Sequence, residues 1–295
     1  MRKIIAVFDG LKFSAATASY AIDIAKQSGA DLIGISLEDF TYFGFKLYDI
    51  VGEKGVSDAK MKHLMEKDKK TRKMSVIKFG ALCEDAGINY SIHHDKSIAI
   101  QELMHESIYA DMIIIDSSET LTHYPEDLPT RFIRDLLTDV ECPVLLVPNE
   151  YKPIQKISLL YDGEPTSVYA IKMLSYILES FKNLPIEVIT VKNPKQIINV
   201  PDNRIMREFM KSHFLEVVYT VLKGLPEEEI TKHLKKNKLN SLVVLGAYRR
   251  SRVSRWFRES MADVLMKQLK LQVRILMTNN PFNPVLPIIF TWKDF

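Results

Sequence analysis

Ile157-Ser158-Leu159-Leu160-Tyr161-Asp162-Gly163 restates Ile4-Ile5-Ala6-Val7-Phe8-Asp9-Gly10, which stands 153 residues earlier in the chain. Each copy is a short apolar run with a lysine ahead of it and Asp-Gly behind. A polar linker follows, Lys12-Phe13-Ser14 or Glu164-Pro165-Thr166, and then a segment of helical period. The pattern predicts a buried strand, a turn and a capped helix. A parallel strand covered on both faces is apolar nearly throughout, so an aspartate at its carboxyl end stands on the sheet rim, where open α/β folds bind ligands. Asp9 and Asp162 are therefore the first candidate functional residues.

A repeat near the midpoint of 295 residues predicts two domains, 1–150 and 151–280, with a tail at 281–295. Apolar residues make up 46% and charged residues 26%, the balance of a globular chain. A net charge of +3 is too small to argue for a nucleic-acid partner. Cys83 and Cys142 are too few for a disulfide framework or a zinc site, which points to a reducing compartment. The apolar run before Asp9 is too short for a signal-peptide core, and no run approaches the ~18 residues of a membrane span. The expectation is a cytoplasmic protein without a membrane partner.

In the first half, Ser14 caps a helix that ends at Gly29, and 31–37 is the second strand. Residues 38–55 read as an irregular loop whose aromatic residues pack on helix faces, and 58–86 as a long helix with a solvated charged side, stopped by Gly87. Strands follow at 88–93, 111–115 and 142–148, with helices at 97–105 and 128–138; the strand at 111–115 delivers Asp116 to the rim of Asp9. His93 and His94 are neighbours on a strand, point to opposite faces and cannot chelate one ion together. The second half repeats the order, with strands at 157–161, 187–191, 215–221, 242–245 and 273–277. Its helices fall at 166–181, 202–211, from Pro226 onward, and 256–269. The fold class is α/β: two tandem doubly wound domains, each with a five-stranded parallel sheet.

The Asp-Gly after each first strand, the closing Cys142-Pro143-Val144-Leu145-Leu146-Val147-Pro148, and Val243-Val244-Leu245-Gly246-Ala247-Tyr248-Arg249-Arg250-Ser251-Arg252 together resemble the universal stress protein family in its tandem-domain form. The resemblance covers nearly the whole chain and implies an adenine nucleotide α-hydrolase-like fold. It also implies that the fifth strands meet where the halves join. ATP-binding members carry a loop of Gly, two residues, Gly, nine residues, Gly, then Ser or Thr, whose amides and hydroxyl hold the phosphates. In those members the acid after strand one contacts the adenosine. Here the second half supplies Asp162, Gly246, Arg249, Glu259 and Ser260 at these positions, so two of the three glycines are replaced. The first half supplies Asp116, Glu119, Pro129 and Thr130, and every glycine is replaced. Carboxylates where a polyphosphate would lie repel it, and Pro129 removes an amide donor, so the first half is expected not to hold ATP.

The candidate cofactor-binding residues are thus Asp162, Gly246, Arg249 and Ser260, with ATP or another adenine nucleotide as ligand in the second half only. Arg249, Arg250, Arg252, Arg255 and Arg258 could pair with phosphates, or could form a solvated or protein-contact surface, the reading charge runs usually deserve. The implied function is a non-enzymatic stress-response binding or regulatory protein, its halves an intramolecular pseudo-dimer that acts on a protein partner and can pair as a homodimer. Two alternatives stand beside it, an ATP-binding enzyme of the wider adenine nucleotide α-hydrolase-like group that activates or cleaves ATP, and a purely structural partner-binding scaffold. No Ser-His-Asp set on a nucleophile elbow, no phosphate-binding Gly-x-x-x-x-Gly-Lys-Ser/Thr loop and no metal-spaced cysteine pair supports a reaction. Asp9 and Asp116 share a rim but lack the adjacent acid of a Mg²⁺-holding phosphorylation switch.

Overall fold

The computed structural model describes residues 2–38, 50–52, 55–93, 98–122, 124–193, 199–236, 240–246, 260–269 and 274–278. Strand β1 (Lys3–Asp9) leads into helix α1 (Ala15–Ser28), where the Ser14 hydroxyl accepts a hydrogen bond from the Thr17 amide and Gly29 closes the helix at φ 62°. Serine at the N-cap satisfies an amide the helix cannot, and glycine takes the left-handed turn without a Cβ penalty. After β2 (Asp31–Leu37) comes a short hairpin of β3 (Val51–Gly52) and β4 (Gly55–Val56), where an irregular loop was expected; the aromatic residues of that loop lie outside the described residues. Helix α2 (Asp58–Ala86) runs from a Ser57 cap to Gly87 and buries only Ser75, Phe79, Gly80 and Cys83, so most of its length is the solvated face its lysines predict. Strand β5 (Tyr90–His93), helix α3 (Ala99–Ser107), β6 (Met112–Asp116), α4 (Arg131–Asp139) and β7 (Val144–Val147) complete the first half.

The second half follows with β8 (Lys156–Leu160), α5 (Pro165–Ile177), β9 (Ile186–Lys192), α6 (Asn203–His213), β10 (Val217–Lys223), α7 (Pro226–Lys236), β11 (Ser241–Leu245), α8 (Met261–Leu269) and β12 (Arg274–Met277). The helix expected over 166–181 ends at Ile177, because Leu178 turns to ψ 58°, and a 3-10 turn over Glu179–Asn183 then buries Phe181. Of the helix expected over 256–269, the described part begins at Met261.

Ten strands form one sheet in the order β10-β9-β8-β11-β12-β7-β6-β1-β2-β5. Every neighbouring pair is parallel except β12 with β7, which set Met277 against Val144 and Ile275 against Leu146. The fifth strand of each half therefore joins the two runs into a continuous sheet. Since the join is antiparallel, the carboxyl ends of β1 and β6 lie at the opposite end of the sheet from those of β8 and β11. One apolar cluster packs α1, α2, α5 and α6 on one face; a second packs α3, α4, α7 and α8 on the other.

Near the join, Arg274 is 1% exposed, and its guanidinium donates from Nε to the Tyr20 hydroxyl (2.6 Å) and from Nη2 to the Lys152 carbonyl (3.1 Å). Tyr20 in turn accepts from the Lys152 amide (2.9 Å), so one phenol and one cation fix the connection between the halves. Each half also carries a Lys–Glu–His cluster anchored on its first strand. Lys3 and His93 hold Glu106 at 2.8 and 2.7 Å; Lys156 and His233 hold Glu187 at 2.6 and 2.9 Å. In the first half the acid sits on a helix and the histidine on a strand, and in the second half the two have exchanged places. Burial raises the pKa of Glu106 and Glu187, but their hydrogen bonds, from Lys3 and His93 and from Lys156 and Thr220, outweigh it and hold both carboxyls below the usual range. His93 is thus a hydrogen-bond partner of Glu106; His94 lies outside the described residues.

Candidate functional site

The sheet rim at the carboxyl ends of β8 and β11 opens into a cavity of about 410 Å³. Its lining includes three of the four residues nominated from sequence, Asp162, Gly246 and Ser260; Arg249 lies outside the described residues. The floor is apolar, with Leu160, Ile189, Val191, Ile230, Leu245 and Met277, and Asp162, Thr166, Ser167, Glu227 and Ser260 supply the polar lining. That mixture, in a concavity within the roughly 300–1,000 Å³ range of small-molecule sites, has the character of a ligand pocket.

Each polar group is placed by the local fold. Asp162 leaves β8 and accepts through Oδ1 from the Glu164 amide (3.0 Å) and the Ser167 hydroxyl (2.9 Å), while its Oδ2 has no partner among the described residues. Gly246 ends β11 hard against the first turn of α5: a Cβ there would stand 2.6 Å from the Thr166 carbonyl carbon and 2.8 Å from the Ser167 nitrogen. Only glycine permits this contact, which sets Thr166 and Ser167 on the cavity wall. Ser260 caps α8, with Oγ accepting from the Asp263 amide (3.1 Å) while the Ser260 amide donates to Asp263 Oδ2 (3.3 Å). The reciprocal cap holds the serine at the start of a helix, and its hydroxyl hydrogen has no acceptor among the described residues. Glu227, in the first turn of α7, also lines the cavity. Glu227 is not among the residues nominated from sequence; the signal that could have found it is the position of α7 next to β9 on the same face as Ile189.

The corresponding rim of the first half is filled. Asp9, Asp116 and Glu119 are all buried there, and Leu121 enters the apolar cluster of Val7, Ile35, Leu37 and Ile133. Ile35 and Leu37 are the repeat counterparts of Ile189 and Val191, so Leu121 occupies the floor that stays open in the second half. It does so at φ 49°, a conformation disfavoured for leucine. The loop is tied down by Glu119, whose Oε1 accepts from the Thr120 and Leu121 amides (2.9 Å each), by Lys12 Nζ donating to the Thr122 carbonyl, and by Thr130 donating to the Glu119 carbonyl. Asp116 accepts from Ser14 (3.2 Å) and from the Ser118 hydroxyl (2.6 Å). Burial, with the Asp9 carboxylate close by, pushes the Glu119 carboxyl up to about 7. Thr130 caps α4 with its hydroxyl spent within the protein, and Pro129 stands just before it.

Burial likewise pushes the Cys83 and Cys142 thiols up to about 12, so neither is a nucleophile at neutral pH. Among the described residues no group of three His, Cys, Asp or Glu could hold a metal ion, and no helix is long and apolar enough to cross a membrane.

No protein-family model matches the chain, and no curated protein matches it by sequence. Solved structures do. A universal stress protein from Archaeoglobus fulgidus aligns at a TM-score of 0.67 and 13% identity, over 95% of this chain and 96% of its own. A functionally unknown protein from Pseudomonas aeruginosa aligns at 0.58 and 16% identity, over 95% and 92%. The chain has the fold of a universal stress protein.

Proposed function

We propose that the chain is a stress-response binding protein of two fused universal-stress units, 1–150 and 151–280 with a tail from 281, that holds one adenine nucleotide in its second half. What supports this reading above all is that Asp162, Gly246 and Ser260, far apart in sequence, line one cavity of about 410 Å³ at a sheet rim. The adenine and ribose lie over the apolar floor, and the Asp162 and Glu227 carboxylates accept from ribose hydroxyls or the adenine amino group. The phosphates lie toward Ser260 and the start of α8, where a hydroxyl and helix amides donate. Arg249 pairs with them by charge in place of the missing glycine amides. The filled rim of the first half supports binding at a single site. The role in this reading is binding and regulation without turnover. The chain acts in the cytoplasm through a protein partner that responds to occupancy of the site.

Mass spectrometry of small molecules released from the purified, denatured protein tests the reading. An adenine nucleotide at close to one per chain is the expected result. A protein that releases none, and binds none when ATP is added, overturns it.

A further inference from the structure

A second cavity, of about 460 Å³, lies on the other face of β8, between α5 and α6. Its walls are Tyr161, Tyr169, Phe209, Met206 and Val168, with Lys172 and Asp202 among its polar groups. The repeat shows what this space is for in the first half. Tyr161 is the counterpart of Phe8, and Phe8 is covered there by two further rings, Phe13 and Phe79, each 5.3 Å away between centroids. Phe79 comes from α2 and lies directly on Gly34, where a Cβ would meet its ring at 2.5 Å. In the second half Val188 pairs with Leu159 as Gly34 pairs with Ala6, so the bed for such a ring is lost. The helix that would carry the ring, α6, is 11 residues long where α2 has 29. Among the described residues, the second half thus leaves open a space in which the first half stacks two aromatic rings.

The hydroxyl that Tyr161 adds relative to Phe8 gives this space a polar contact. Tyr161 is 4% exposed, lines the cavity, and its hydroxyl makes no hydrogen bond to any described residue. Burial, with the Asp202 and Asp162 carboxylates nearby, raises its pKa, so the phenol keeps its proton and can both donate and accept. Lys172 and Asp202 carry opposite charges, so the lining favours neither an anion nor a cation. We propose that this cavity is a second ligand site, which takes an uncharged planar aromatic molecule of one or two rings whose polar substituent hydrogen-bonds the Tyr161 hydroxyl. It is separate from the nucleotide cavity, which lies on the opposite face and shares only the Tyr161 wall.

The probes are indole and 4-methylphenol, titrated into the full chain and followed by methyl resonances. Saturable shifts at Val168 and Met206 are expected, with Ile230 and Met261 of the nucleotide cavity unmoved. No saturable shift at Val168 and Met206, or shifts confined to Ile230 and Met261, overturns the proposal. Val168→Trp fills the space and should weaken indole binding by at least about tenfold; undiminished binding overturns the proposal. If Val168→Trp does not fold, Tyr161→Phe decides: wild type should prefer 4-methylphenol to toluene, and the variant should lose that preference. A preference retained in Tyr161→Phe overturns the proposal as well. None of these readouts requires nucleotide, so failure here leaves the first site standing, and the reverse.

Discussion

Replacing Glu119 by glutamine should make the protein more stable at pH 8 and leave it unchanged at pH 4.5. Glu119 is buried, and its carboxyl is raised from 4.5 to about 7 by burial and by Asp9. The folded state therefore keeps a proton that the unfolded chain has already lost between these values, and stability falls as pH rises through that window. At about 1.36 kcal/mol per unit, ionised Glu119 costs the fold about 3 kcal/mol above pH 7. Glutamine preserves an Oε1 acceptor for the Thr120 and Leu121 amides and carries no charge to desolvate. Urea unfolding of the two proteins from pH 4.5 to 8 is the assay. The parent should lose stability across the window, and Glu119→Gln should lose correspondingly less. Equal stability at pH 8, or a difference that does not vary with pH, would refute the assignment of a buried, raised carboxyl to this loop.

Other changes test the packing around the sites. Gly246→Ala should destabilise the protein by about 1–3 kcal/mol in urea unfolding, because the new methyl meets the backbone of α5, which cannot retreat as a side chain can. Tyr20→Phe should cost about 1–3 kcal/mol by the same assay, since Arg274 Nε and the Lys152 amide would each lose a buried acceptor. Lys156→Met should cost about 1.5–3 kcal/mol at neutral pH, because the buried Glu187 carboxylate loses its ammonium partner and keeps only Thr220 and His233 among the described residues. Because that carboxyl is held low in the folded state, its contribution is present above the unfolded value and disappears as pH falls through the folded one, so the penalty for Lys156→Met should shrink in acid.

The architecture could be read from local pattern. The Asp-Gly after each first strand, the serine cap at Ser14 and the glycine stops at Gly29 and Gly87 all act within a few residues of where they stand, so a one-dimensional reading finds them. Asp162 stands out through the repeat, and Gly246 and Ser260 through the resemblance to the universal stress family's loop; all three line one cavity. The rest depended on contacts without local period. Leu121 fills the first rim only because Glu119, Lys12 and Thr130 pull its loop down, and in sequence Glu119 suggests nothing more than charge repulsion. Arg274 meets Tyr20 across 254 positions. The second cavity lies beside the short α6, where the first half has the long α2 carrying Phe79, a difference visible only once the two halves are compared in three dimensions.

Isothermal calorimetry of ATP with the full chain tests the central claim most directly. One site per chain is predicted, weakened about tenfold by either Asp162→Asn or Ser260→Ala, the loss of one ligand hydrogen bond. Two sites per chain, no binding by nucleotide-free protein, or one site indifferent to both substitutions would contradict it.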